Sequence, residues 1–130
     1  MKLNEYFEKA KGFGVLATAD ETGKVNVDVY SRPHFTDEKD DSVVAFIMAD
    51  RLNHANIQKN PSAAYLFMEE GQGYLGKRLH LTKVREEASE ELVAAICRRC
   101  NYNMYGKESL RYVVFFKVDE VLPLIGQGPG

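Results

Sequence analysis

Residues 43–68 decide the fold, and they read VVAFIMADRLNHANIQKNPSAAYLFM. Continuous apolar runs occupy both ends of this stretch, at 43–48 and 63–68, and they contain β-branched and aromatic residues. Runs of this length and composition are typical of strands that are buried on both faces. The stretch therefore predicts two central strands joined by a short connection.

The connection between these strands has the pattern of a short helix. Leu52, Ala55 and Ile57 place apolar side chains on one side of it. Asp50 is the predicted N-cap, and Asn60-Pro61 is a stop signal, because proline disfavours helical conformation in the residue before it.

Shorter strands are predicted on both sides of the central stretch. Residues 13–19 and 24–30 flank the turn sequence DETG at 20–23, which is typical of a β-hairpin. In the second of these strands, valines at 25, 27 and 29 alternate with polar residues, so one face is apolar and the other is polar. Further strands are predicted over 79–85 and 112–118.

Helical patterns appear near the N-terminus, over residues 3–10, and again over 89–101. The strands follow one another at hairpin spacing, without a helix between each pair. The sequence therefore predicts a mainly β fold, a six- to seven-stranded antiparallel barrel with peripheral helices. At 130 residues, we expect one domain spanning 1–130.

Composition limits the classes of partner. Lys and Arg number 17 and Asp and Glu 19, so the formal charge is −2 and supplies no basic field for nucleic acid. No stretch approaches the roughly 20 apolar residues that span a bilayer. The first residues lack the apolar core of a signal peptide. We expect a cytoplasmic protein with neither nucleic acid nor membrane as partner.

The two cysteines, Cys97 and Cys100, lie on the apolar side of the third predicted helix. Without a secretory signal we expect them to be reduced, and we interpret them as core residues. A structural zinc ion takes four ligands, and the three histidines are scattered along the chain, so we expect no metal site.

The start of the mid-chain helix is a candidate anion site. A helix N-terminus offers unpaired backbone N–H groups and the positive end of the helix dipole. Arg51 adds a guanidinium that grips two phosphate oxygens, and Asn53 adds an amide. The Asp50 carboxylate opposes an anion unless it turns back to cap the helix. The alternative interpretation is an ordinary capped helix with a solvated arginine.

A second candidate is the segment at 28–34, where Arg32 and His34 follow the polar face of a strand. This face could line a cleft. The alternative is a half-exposed strand whose polar face meets water, as antiparallel sheets commonly have.

A third candidate is the glycine-containing loop before Lys77 and Arg78. Glycines at 71, 73 and 76 have the spacing of a dinucleotide-binding fingerprint. That fingerprint requires a helix after the loop, and a strand follows here. We therefore interpret the loop as a hairpin or a ligand-facing bend.

Four segments in order carry a family resemblance: GVLAT at 14–18, VDVYSRP at 27–33, VAFIMADRL at 44–52 and NIQKNPSAA at 56–64. The helix that ends in Asn-Pro before an apolar strand is the most specific of them. Together they resemble the pyridoxamine 5′-phosphate oxidase-like, FMN-binding split-barrel family. The resemblance extends from about residue 12 to residue 118.

This resemblance implies a split antiparallel barrel that forms a homodimer with two FMN sites at the subunit interface. Members hold the FMN phosphate just after the strand that matches 43–48. The phosphate positions here are Arg51 and Asn53, with Leu52 between them. Contacts with the ring edge or the ribityl chain are implied for Met48, Ala49 and Asp50.

The flavin ring, by the same resemblance, lies against the strand that matches 27–32. The residues implied there are Val29, Tyr30, Ser31 and Arg32. Lys77 and Arg78 correspond to basic residues that begin a later strand and reach across the dimer.

The activity implied is that of an FMN-dependent oxidoreductase, which moves a hydride or electrons between a donor and a small-molecule substrate. Authentic pyridoxamine phosphate oxidases carry an Arg-rich C-terminal segment that residues 122–130 do not match, so we do not expect vitamin B6 chemistry. Other branches of the family resemble deazaflavin reductases or haem-handling proteins. The alternative is therefore a non-enzymatic split barrel that stores or carries a flavin or haem. No residue is assigned a catalytic role.

Overall fold

A computed structural model describes residues 2–37, 39–96 and 111–126 of the chain. Within these ranges the strands are β1 Gly12–Ala19, β2 Val25–Tyr30, β3 Val43–Ala49, β4 Ser62–Glu69, β5 Gly76–Glu87 and β6 Arg111–Pro123. The helices are α1 Leu3–Lys9, α2 Leu52–Lys59 and α3 Glu90–Ile96. None of the helices in this part of the chain is long and apolar enough to cross a membrane. The predicted positions of Cys97 and Cys100 fall outside the described residues.

All six strands form one antiparallel sheet in the order β2-β1-β4-β5-β6-β3. Beyond β2, His34 makes an isolated bridge to Ala45 of β3, with backbone N–O distances of 2.8 and 2.9 Å. This bridge brings the segment after one edge strand onto the other edge strand, so the sheet curls into a half-barrel. The predicted mainly β, antiparallel split barrel is confirmed, with six strands in the described residues.

Strand β3 is buried on both faces, as its apolar run predicts. Val44, Phe46 and Met48 lie in the main core, whereas Ala45 and Ile47 lie in a second core beneath α3. Burying an apolar side chain of this size stabilises a fold by roughly 1.5–3 kcal/mol. The two cores therefore fix β3 firmly, and with it the point where α2 begins.

The outward side of β1, β2 and β4 is apolar but exposed. Strand β4 was predicted to be buried on both faces, and this is wrong for its outward face, where Leu66 is 37% exposed. In β2 the valines point to solvent, while Asn26 on the other face is partly covered by α2. We call this surface the outer apolar face and define it by Phe13, Val25, Val27, Val29 and Leu66.

Tyr65 holds β4 against β1 and the end of β2. Its side chain is fully buried, and its hydroxyl donates to the Ser31 carbonyl oxygen at 3.0 Å. Burial raises the pKa of Tyr65, so the hydroxyl keeps its proton. The ring crosses directly over Gly14, where an added Cβ would lie 1.9 Å from the Tyr65 hydroxyl oxygen. Only glycine leaves room for this close approach.

Gly14→Ala is expected to lower the free energy of unfolding by about 1–3 kcal/mol, because the new methyl group forces Tyr65 away from its core position. Urea denaturation followed by circular dichroism measures the change. Val84→Ala, at a strand position that is 57% exposed, is the control, and we expect it to stay within about 0.5 kcal/mol of the parent. An unchanged midpoint for Gly14→Ala would contradict this account of Tyr65.

Candidate functional site

The start of α2 has no side-chain cap. Its N-cap is Arg51, whose side chain makes no capping hydrogen bond. Asp50 was the predicted N-cap, and this is wrong, because the helix begins one residue later and the Asp50 Oδ1 instead lies 3.5 Å from the His54 Nδ1. Among the residues that the structure describes, the exposed Arg51 guanidinium has no ion-pair partner. Two of the three groups that were predicted for a phosphate, the Arg51 guanidinium and the N–H groups of the first helical turn, are therefore at this end, and the third is the Asn53 amide.

The buried side of α2 is polar, contrary to its predicted apolar face. Leu52 is 56% exposed and Ala55 is also exposed. Asn53, His54 and Asn56 are buried instead, and Ile57 supplies the apolar anchor. Buried polar side chains are tolerated only when they are hydrogen-bonded. The position of α2 therefore depends on where these groups find partners.

Asn53 ties the helix start to β1 and β2. Its Oδ1 accepts from the Thr18 hydroxyl at 2.5 Å and from the Asn26 amide at 3.0 Å, and its Nδ2 is 3.5 Å from the Leu16 carbonyl oxygen. The Asn56 amide donates to the same Thr18 oxygen at 3.0 Å. Asn53 is only 1% exposed, so its amide belongs to this network and does not face an incoming phosphate.

His54 ties the same helix to β5 and β6. Its ring stacks on the Tyr112 ring, with centroids 3.9 Å apart and an interplanar angle of 11°. Its Nε2 lies 3.0 Å from the Glu86 Oε2. Burial by itself raises the pKa of Glu86, but hydrogen bonds from Lys83, Gln58 and His54 lower it to about 2. Glu86 is therefore an anion at neutral pH and attracts the imidazole.

Val29 and Arg78 share the outer side of the sheet. Residues directly opposite each other in antiparallel strands lie on the same face. One such row runs from Val29 through Val15 and Leu66 to Arg78, across β2, β1, β4 and β5. Three strand spacings separate the ends of the row, which is roughly 14 Å. Arg78 donates from Nε to the Pro123 carbonyl oxygen at 2.8 Å and from Nη2 to that of Gly126.

The other candidates at the end of β2 and just after it do not share one site. Tyr30 turns inward, and its ring centroid is 6.0 Å from that of Phe46. Ser31 is exposed. The Arg32 Nη1 donates to the carbonyl oxygens of Phe7 at 2.7 Å and Glu8 at 3.1 Å, near the end of α1. Arg32 therefore anchors α1, where cations offset the helix dipole.

The remaining candidates, Met48, Ala49 and Lys77, do not present side chains at the α2 start. Met48 is fully buried and Ala49 is 7% exposed, so neither presents its side chain to solvent. Lys77 lies beside α1, with its Nζ 4.8 Å from the Tyr6 ring centroid. The structure thus places Asp50 and Arg51 at the surface of the α2 start, and Val29 and Arg78 in one row on the outer side of the sheet. It does not bring Tyr30, Arg32 or Lys77 to either place.

Sequence reasoning missed three residues at the α2 start. Asn26 of β2 donates to Asn53 of α2, and His54 lies between Asp50 and Glu86. Arg111 is opposite Ala49 in the β3–β6 register. No short motif marks them. Arg111 is sixty residues away from Arg51 in the chain. Only the pairing of β6 with β3 brings it to the end of β3, where the connection to α2 begins.

No protein-family model and no curated protein matches the sequence. Solved structures do match over nearly the whole chain. An FMN-binding protein from Syntrophomonas wolfei has a TM-score of 0.75 at 16% identity, over 98% of this chain and 86% of its own. An F420 reductase has a TM-score of 0.67 at 13% identity, over 93% of this chain and 97% of its own. A putative pyridoxamine 5′-phosphate oxidase from Lactobacillus delbrueckii has 0.67 at 15%, over 94% and 92%.

These similarities show the fold. The chain has the split-barrel fold that FMN-binding proteins and pyridoxamine 5′-phosphate oxidase-like proteins share. They confirm the family resemblance that the four sequence segments carry, at the level of the fold.

Asn53→Ala is expected to lower the free energy of unfolding by about 1–3 kcal/mol, because it leaves the buried Thr18 hydroxyl without an acceptor and removes one partner of the partly buried Asn26 amide. Chemical denaturation measures the loss. Lys59→Ala, at an exposed position near the other end of the same helix, is the control and should leave stability nearly unchanged. If Asn53→Ala is as stable as the control, the network does not fix α2.

Proposed function

We propose that the chain is an FMN-binding flavoprotein that works as a homodimer and transfers a hydride or electrons. The observation that carries this proposal is the uncapped start of α2 with the exposed Arg51 guanidinium beside it. A phosphate monoester is the ligand that such a site suits, because a guanidinium and helix N–H groups together bind several of its oxygens. The similarity in fold to an FMN-binding protein supports FMN over other phosphate monoesters.

The surroundings of Arg51 fit an extended ligand as well as its phosphate. Asn26 joins the α2 start to the edge strand β2, and the opposite face of β2 carries the exposed valines. Isoalloxazine is a flat, largely apolar ring, and such rings bind to apolar surfaces with a few polar groups at their edges. We therefore place the ring against β2 near Val29, with Tyr30 and Ser31 at the strand end.

The proposal gives the predicted site residues different tasks. Arg51 and the α2 N–H groups bind the phosphate. Asn53 and Arg32 act as positioning residues, because their side chains bond to the chain itself. FMN, when bound, supplies the hydride and electron transfer chemistry. The protein binds and orients it and limits the access of water.

The outer apolar face supports the homodimer. Val25, Val27 and Val29 are 63%, 56% and 71% exposed, and they adjoin Phe13 and Leu66 on neighbouring strands. Contiguous exposed apolar patches on a sheet mark interaction surfaces. We propose that a second copy of the chain covers this face and encloses the flavin. Arg78, at the end of the same row, borders the interface.

A carrier without turnover and a deazaflavin reductase are the rival functions. The similarity in fold to an F420 reductase supports the deazaflavin reductase, with a deazaflavin as the alternative cofactor. Oxidation of reduced nicotinamide with an acceptor present distinguishes an enzyme from a carrier, because only the enzyme turns over. We keep the cytoplasm as the expected location.

FMN titration of the purified protein is expected to show saturable binding with a perturbed flavin spectrum. Arg51→Ala should weaken FMN binding at least about tenfold, since it removes a charge-assisted hydrogen-bonding group worth about 1.5–3 kcal/mol. Riboflavin, which lacks the phosphate, should bind both forms equally. Lys59→Ala removes one positive charge from the other end of α2 and is the matched control. An absence of FMN binding contradicts the proposal, and unchanged affinity in Arg51→Ala removes Arg51 from the site.

Val27→Lys is expected to convert the homodimer to a monomer, because it puts a charge in the middle of the outer apolar face. Light scattering coupled to size exclusion measures the mass. Val84→Lys, at a β5 position with nearly the same exposure (57% against 56%), should leave the dimer intact. A parent protein that is monomeric with FMN bound would contradict the interface proposed here.

A further inference from the structure

His54 is buried between two carboxylates, and no step of the proposed function uses it. The residue is 6% exposed and lies against three separate elements. Its Nδ1 is 3.5 Å from the Asp50 Oδ1, and its Nε2 is 3.0 Å from the Glu86 Oε2. The Tyr112 ring covers its face at a centroid distance of 3.9 Å. Each ring nitrogen of His54 therefore has a carboxylate within 3.5 Å.

The charged and polar groups around the imidazole come from the β3–α2 connection, α2, β5 and β6. Asp50 approaches from the β3–α2 connection and Glu86 from β5. Lys83 of β5 pairs with Glu86, with its Nζ 2.6 Å from the Oε1, and so balances that carboxylate. The Gln58 amide donates to the same Oε1 at 2.7 Å. From β6, Tyr112 stacks on the ring, and Arg111 precedes it in sequence. Asp50 is therefore the carboxylate without a lysine partner in this cluster.

The protonation state of His54 decides what Asp50 does. A neutral imidazole carries one N–H and donates to one carboxylate, whereas an imidazolium donates from both nitrogens at once. Glu86 is the nearer acceptor, at 3.0 Å against 3.5 Å for Asp50. The ionised Glu86 needs a donor on Nε2, so in the neutral ring the proton lies there and Asp50 faces an unprotonated nitrogen. The Gln58 Nε2, which is 3.2 Å from the same ring nitrogen, donates its two hydrogens to the Glu86 Oε1 and to the His54 carbonyl oxygen. Protonation places an N–H opposite Asp50 and draws its carboxylate towards the ring.

Asp50 also borders the proposed phosphate position. It stands directly before Arg51, and 64% of its side chain is exposed. A carboxylate beside a bound anion repels it, and a carboxylate held by an imidazolium does so less. The anion affinity of the α2 start therefore depends on whether His54 holds Asp50.

We propose that His54 is a positioning residue whose protonation holds Asp50 away from the anion at the α2 start, so that the FMN phosphate binds more tightly when His54 is protonated than when it is neutral. This inference deepens the proposed function and rests on it for the identity of the ligand. The sign follows from linkage, because a ligand that binds the protonated form better takes up a proton and binds more tightly at lower pH.

The test compares FMN dissociation constants at about pH 5.5 and about pH 8, on either side of the ordinary histidine range. The protein is used as parent, His54→Gln and His80→Gln. His80 makes a similar but exposed pair with Glu120 at 3.1 Å, on β5 and away from α2 in the described structure, so it is the matched control. The FMN phosphate itself titrates near pH 6, and the comparison between variants cancels that effect.

When the pH is lowered from about 8 to about 5.5, the FMN affinity of the parent and of His80→Gln is expected to change in favour of binding by about five- to tenfold relative to the change in His54→Gln. Asp50→Asn, a change at an exposed position, should bind FMN tightly at both pH values and lose the relative gain. Riboflavin should show no such gain in any form. The same pH dependence in His54→Gln as in the parent would overturn the inference.

The two proposals fail separately, because His54 can be titrated by NMR in the protein without FMN. The backbone amide signals of Asp50 and Arg51 should shift with the His54 ring in the parent and not in His54→Gln. If the Asp50 and Arg51 signals do not shift with the His54 ring, the role of His54 is overturned, whatever the result with FMN. A coupled shift with no FMN binding at any pH overturns the proposed function and leaves His54 positioning Asp50.

Discussion

The hydrogen-bonded side chain of Asn53 is the constraint on which the arrangement of the α2 start depends. It bonds Thr18 of β1 and Asn26 of β2, both of which are polar groups on the inner side of the sheet. These groups need a partner when they are buried, and α2 supplies it. The helix is thereby fixed with Arg51 outside and the buried amide inside. An exposed cation at an uncapped helix start follows from this one buried contact.

The second constraint comes from the edge position of β2. The helix α2 covers part of the polar side of β2, at Asn26, and the valines on the other side of β2 have no cover from the described chain. An exposed apolar edge strand is a hazard unless another element or another chain covers it. The same strand thus connects the proposed phosphate position to the proposed dimer surface. In the proposed arrangement its polar face lies beside the phosphate, and its apolar face contacts the flavin ring and the second copy of the chain.

Local pattern was sufficient to predict most of the strands, the helices and an antiparallel barrel, because alternation, apolar runs and turn residues are properties of neighbouring residues. The split form of the barrel was implied by the family resemblance. Local pattern did not determine which side of β2 and β4 is covered, since that depends on where α2 packs. Arg51 was correctly expected at the helix start. Asn53 was expected to face a phosphate there, but its side chain is buried because it hydrogen-bonds to Thr18 and Asn26. His54 and Arg111 were missed because their neighbours come from β5 and β6, and no local signal encodes that pairing.

The most direct test of this account is a crystal structure of the protein with FMN. The central claim is that the α2 start, fixed by Asn53, holds the phosphate at Arg51. The account predicts phosphate oxygens within hydrogen-bonding distance of the Arg51 guanidinium and the first backbone N–H groups of α2, with the ring against β2 and a second copy of the chain covering the valines. A phosphate bound elsewhere, with Arg51 still in solvent, would contradict it.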